Sequence, residues 1–93
     1  MRVGNAVKQL RLARGMKQSE LAEKSGISLS YISLMERGDR TVSQKSIAAL
    51  CNALNVHILL LIFLSLDEKE RTMLPADILP YMKQWAYKTI LGY

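Results

Sequence analysis

The sequence predicts an all-α fold, a five-helix unit followed by one or two further helices, and three observations support this. Apolar residues recur at helical spacing, with Val3, Val7 and Leu10 forming one stripe near the start and Ile47, Leu50, Cys51 and Leu54 another. Gly15, Gly26, Gly38 and Pro75 stand where these periodic stretches end, as helix-stopping residues should. No segment alternates apolar and polar residues as a half-buried strand would. With 49% apolar residues, a chain of 93 residues can build one core, so a single domain with a short appended element is expected.

Each helix has its own start and stop signals. The first is predicted from Arg2 to Arg14, ended by Gly15. Lys17 or Gln18 opens the second, which runs to about Ser25. Gly26 then turns the chain, because glycine takes the left-handed conformation without steric cost. Ser28 offers its hydroxyl to the free amides of a third helix, Leu29 to Arg37, ended by Gly38. Ala22 is small where two helices cross, and Leu21, Ile27, Ile32 and Met35 supply the apolar seam. After the polar loop Asp39 to Val42, Ser43 caps a fourth helix ending near Asn55. The run Ile58-Leu-Leu-Leu-Ile-Phe-Leu64 predicts a short fifth helix, buried on nearly all sides. Ser65-Leu-Asp-Glu68 fits a capping box, which predicts a sixth helix from about Leu66 to Met73, broken by Pro75. Pro80 suits the first turn of a last helix with the stripe Ile78/Leu79, Met82, Trp85, Ala86 and Ile90.

The second and third helices, joined by a tight turn, form the unit that sets a reading helix in the major groove of DNA. The charge agrees. Residues 1–55 hold nine Lys/Arg against four acidic residues, whereas residues 56–93 hold four of each, so the whole excess of +5 lies on the first segment. Phosphate neutralisation requires such an excess.

From Val3 to about Val56 the chain resembles the Xre/Cro-type helix-turn-helix domain of phage repressors and bacterial regulators. The residues that carry the likeness are Arg11, Gly15, Gln18, Leu21, Ala22, Gly26, Ser28, Tyr31-Ile-Ser33, Glu36-Arg-Gly38, Ser43 and Leu50–Leu54. The resemblance implies a repressor-like domain over residues 1–56. Residues 57–93 would be a dimerisation segment packed on the same core.

Carried over position by position, the resemblance turns Leu29, Ser30, Ser33 and Leu34 towards the bases, with Ile32 and Met35 inward. The sequence departs from the family here, since Leu29 and Leu34 stand where Gln, Arg or Lys is common. A leucine cannot hydrogen-bond a base edge, but it can pack on a thymine methyl. Few bidentate contacts are expected, with more reliance on serine hydroxyls, water and DNA shape. The other reading of these leucines is a surface for a protein.

Gln18, Ser28, Tyr31, Arg37, Arg40 and Lys45 are the candidates for the DNA backbone, with Lys17 and Arg14 weaker ones. Such contacts position the protein without reading sequence. For the three residues Arg37, Arg40 and Lys45, plain solvation is the competing role, and for Tyr31 it is half-buried packing. Arg11 and Glu36 are assigned to a scaffold ion pair that sets the angle of the reading helix.

Dimerisation is assigned to Ile58, Leu61, Ile62, Leu64, Met82, Trp85 and Ile90. These residues lie in the segment without net charge, and one domain alone makes too few contacts for a genomic site.

Other chemistry has little support. The seven-residue apolar run is far short of the roughly 20 residues that span a bilayer, and no secretion signal opens the chain. One cysteine, Cys51, suits a reducing cytosol and a buried structural role. His57 reads as a helix-start residue, and Asp67-Glu68-Lys-Glu70 as an acidic helix start favoured by the helix dipole. No phosphate loop, metal-ligand spacing or nucleophile set is present, so neither catalysis nor a cofactor or metal is expected. The sequence thus predicts a cytoplasmic transcriptional regulator, a repressor binding double-stranded DNA as a homodimer. Two rivals share the domain: an antitoxin that also binds a toxin, and a protein-interaction module without specific DNA binding.

Overall fold

Seven helices make up the computed structural model, which describes residues 1–91. They are α1 (Val3–Ala13), α2 (Gln18–Ser25), α3 (Leu29–Glu36), α4 (Gln44–Leu54), α5 (Ile58–Ser65), α6 (Glu68–Arg71) and α7 (Leu79–Leu91). Among the described residues there is no strand. The core is one cluster. Val7 and Leu10 of α1, Leu21 of α2, Ile32 and Met35 of α3, Leu50 and Leu54 of α4, and Leu60 and Leu61 of α5 meet there with almost no exposure. Burying such side chains contributes roughly 1.5–3 kcal/mol each, which fixes the mutual placement of the first five helices. Cys51 lies in the same core, and burial pushes its thiol pKa up.

The caps account for the helix boundaries. Ser28 Oγ accepts from the Tyr31 amide and Ser43 Oγ from the Ser46 amide, each at 3.2 Å. Gly26 ends α2 at φ 73°, a conformation that strains any residue with a Cβ. His57 caps α5, its Nδ1 accepting from the Leu59 amide at 3.1 Å. The chain bends by 111° between α4 and α5. Neither α5 nor any other single described helix is long and apolar enough to cross a membrane.

Gly4 sets a close approach that sequence reasoning passed over. A Cβ at this position would overlap the Met35 carbonyl oxygen, so only glycine lets α1 cross the end of α3 at this distance. The start of α1 is also held to the end of α5, where the Arg2 amide donates to the Ser65 carbonyl at 2.7 Å.

Three expectations need correction. First, α5 is not buried all round. Leu60, Leu61 and Phe63 face the core, whereas Ile58, Leu59 and Ile62 are exposed, because α5 packs on α1, α4 and α7 from one side only. Second, Ser65 caps nothing. It is the last residue of α5, is buried, and donates its hydroxyl to the Leu61 carbonyl at 2.6 Å. The capping box is two residues further on, with Asp67 Oδ1 accepting from the Glu70 amide and Glu70 Oε1 from the Asp67 amide. The sixth helix is accordingly the single turn Glu68–Arg71. Third, the α7 stripe is narrower than expected. Ala86 is buried and Leu79, Met82 and Ile90 pack on the core, while Trp85 and Ile78 are 37% and 46% exposed.

Candidate nucleic-acid interface

α3 presents its outer face from a fixed mount. Arg11 of α1 reaches Glu36 at the end of α3 with two bonds, Nε to Oε2 at 2.8 Å and Nη2 to Oε1 at 2.9 Å. Its remaining nitrogen, Nη1, donates to the Met16 carbonyl at 2.8 Å. Gln18 of α2 adds a third bond to the same carboxylate, Nε2 to Oε1 at 3.1 Å. Both members of the ion pair are buried. Three helices are thereby locked at one point, and a planar guanidinium on a carboxylate admits little rotation. On the other side, the Tyr31 hydroxyl donates to the Thr41 carbonyl at 2.6 Å. The Arg40 guanidinium lies 5.7 Å from the Tyr31 ring centroid. The loop after α3 is thus pinned against the helix, and Arg40 is held beside it.

The outward residues of α3 are Leu29, 48% exposed, and Ser30, with Ser33 and Leu34 half-buried one turn on. Leu34 is therefore less solvent-facing than the resemblance implied. Arg37 caps the end of α3, exposed, with its Nε 3.3 Å from Asp39. Lys17 is exposed at the start of α2, where Glu20 accepts its amide at 3.2 Å. Lys45 is exposed in the first turn of α4, which holds no acidic residue.

A helix-turn-helix family model matches residues 7–61, more than half of the chain. The chain belongs to the Xre-type helix-turn-helix family. Several members are similar to it. The HTH-type transcriptional regulator SinR of Bacillus subtilis (strain 168) is 46% identical over 39 residues, 42% of this chain and 35% of SinR. The chain thus spans about a third of that relative's length. Among solved structures, the clp gene regulator ClgR from C. glutamicum superposes with a TM-score of 0.66 at 33% identity, covering 69% of this chain and 83% of that one. The restriction-modification controller protein C.AhdI from Aeromonas hydrophila gives 0.62 at 38% identity, covering 64% of this chain and 91% of the controller.

In this helix-turn-helix chain, α2 and α3 are the two helices of the motif, and α1, α4 and α5 support them. The structure brings Gln18, Glu36 and Arg11 into one network and Tyr31 and Arg40 into another. Arg14 belongs to neither. Its Nε donates to the Leu54 carbonyl at 3.1 Å and its Nη2 to the Asn55 carbonyl at 3.4 Å, so it satisfies the end of α4. Ser28 is occupied as a cap.

The residues singled out for dimerisation divide. Ile58 and Ile62 are exposed, and Leu59, which sequence reasoning missed, is more exposed than either. Leu61 is 1% exposed and belongs to the chain's own core, as do in part Leu64, Met82 and Ile90. Among the described residues, no three His, Cys, Asp or Glu side chains group as metal ligands.

Proposed function

We propose that the chain is a DNA-binding transcriptional regulator, a repressor that occupies an inverted repeat as a homodimer with α3 in the major groove. The observation that carries this reading is the mount of α3. A buried, three-bond carboxylate network on one side and a pinned loop on the other fix the angle of a helix that leaves Leu29 and Ser30 exposed at its start. Leu29, Ser30, Ser33 and Leu34 meet the bases, and Arg37, Arg40, Lys17 and Lys45 meet phosphates on either side. Gln18 braces α3 and stands at the start of α2, whose free amides favour a phosphate.

Dimerisation uses the exposed row Ile58, Leu59 and Ile62 on α5, with Trp85 of α7 as a flanking aromatic. Positions 58 and 62, and 59 and 62, are neighbours on a helix surface, so the three side chains form one apolar strip. Two copies joined there would set their α3 helices one turn of DNA apart, about 34 Å. The test is selection of random duplex DNA by the purified chain near physiological salt, followed by sequencing. An enriched inverted repeat with half-sites one turn apart supports the reading. Failure to enrich any sequence with folded protein overturns it and sends the search to a protein partner.

A further inference from the structure

Two of the four polar side chains of α3, Glu36 and Tyr31, are committed elsewhere. Glu36, the only charged side chain on the helix, has both carboxylate oxygens bonded to Arg11 and one of them also to Gln18. The Tyr31 hydroxyl proton goes to Thr41. The helix reads LSYISLME and holds no Arg, Lys, Asn or Gln, the side chains that grip guanine or adenine with two bonds. Serine hydroxyls remain, and they bond to donors and acceptors alike. Leu29 occupies the first position of α3, half exposed, where a reading helix brings its residues to the base edges. A hydrocarbon there gains only by meeting another hydrocarbon. The major groove offers one, the C5-methyl group of thymine. A 5-methylcytosine carries the same methyl at the same ring position.

We propose that this chain reads pyrimidine C5-methyl groups opposite Leu29. It binds more tightly when a cytosine there is C5-methylated and less tightly when a thymine there is replaced by uracil. The inference rests on α3 lying in the major groove, as proposed above, and adds the chemical feature that is read. Burying one methyl is worth about fourfold in affinity, so a two-fold site changes roughly 15-fold when both half-sites are altered.

The experiment uses the full chain and three random duplex pools: ordinary DNA, DNA with uracil for every thymine, and DNA with 5-methylcytosine for every cytosine. The expected result is thymine enriched at one position per half-site in the first pool and lost preference there in the second. In the third pool, methylcytosine enters that same position. In the selected duplex, thymine-to-uracil replacement at that position weakens binding about fourfold per half-site, and Leu29→Ala erases the difference between the two bases. Circular dichroism checks that the variant is folded. A motif whose affinity ignores the methyl overturns the inference while leaving DNA reading intact. A thymine–uracil difference that persists in Leu29→Ala also overturns it, since the methyl would then act through DNA shape. No enrichment in any pool overturns both readings.

Discussion

Glu36 accepts three hydrogen bonds while buried, so its removal strands a buried guanidinium. Glu36→Ala is expected to cost about 1–3 kcal/mol, read as a lowered midpoint in urea unfolding. An unchanged midpoint would mean that the pair does not hold α1 to α3. Gly4 tests two opposed effects at one position. Helix propensity favours alanine over glycine by about 1 kcal/mol inside a helix. Overlap with the Met35 carbonyl oxygen opposes it, and it involves backbone that cannot swing away. Steric strain of about 1–3 kcal/mol should win, so Gly4→Ala is expected to lower the melting temperature. A rise would show that α1 shifts freely. The sequence reveals Arg11 and Glu36 through their family positions, but the other ends of Arg14 and Tyr31 were hidden. Arg14 bonds 40 and 41 residues away, and Tyr31 bonds 10 residues away across a loop. No local pattern encodes such contacts.

Helices with an unambiguous stop were legible to within about two residues, as α1 to α4 show. Ser28 and Ser43 each have one helix to cap, and Gly26 has one turn to make. The C-terminal part was less legible for two physical reasons. Ser65-Leu-Asp-Glu68, read as a capping box, overlaps Asp67-Glu68-Lys-Glu70, read only as an acidic helix start, and α5 makes the second one the box by running on to Ser65. The run Ile58–Leu64 has no polar residue to mark an outer face, so periodicity could not tell Leu61 from Ile62. The structure separates them, at 1% and 38% exposure. Substitutions on neighbouring residues should therefore do different things. Leu61→Ala opens a cavity in the core and is expected to cost about 2–5 kcal/mol of unfolding free energy. Ile62→Glu combined with Ile58→Glu should leave the fold intact and make the chain monomeric in sedimentation equilibrium. It should also weaken operator binding, because each domain then binds alone. If the double variant sediments as the parent chain does, the α5 strip is not the dimer contact.

At the scale of the whole molecule, charge is segregated along the chain. The +5 excess lies on residues 1–55, and the remainder is neutral. This division suits the proposed dimer, in which the first segment would meet phosphates and the second a copy of itself, since like charges across a dimer contact would oppose it. Not every basic residue in the first segment is free for DNA. Arg11 is buried against Glu36 and Arg14 is spent on the end of α4. Of the other seven, the four that flank α3 and the starts of α2 and α4 (Lys17, Arg37, Arg40 and Lys45) make up the proposed phosphate set. Four contacts per subunit make eight per dimer, for which the logarithm of the binding constant should fall with the logarithm of salt at a slope of about −7. Arg40→Ala should flatten that slope by about 2 per dimer and weaken selected and random duplexes alike, because a phosphate contact carries no sequence information. Leu29→Ala should behave in the opposite way, leaving the slope alone and narrowing the gap between selected and random DNA. Fluorescence anisotropy titrations across a salt series measure both quantities on the same samples. If Arg40→Ala changed the sequence preference instead, the arginine would be reading bases, and the division between an apolar reading face and a charged positioning rim would fail.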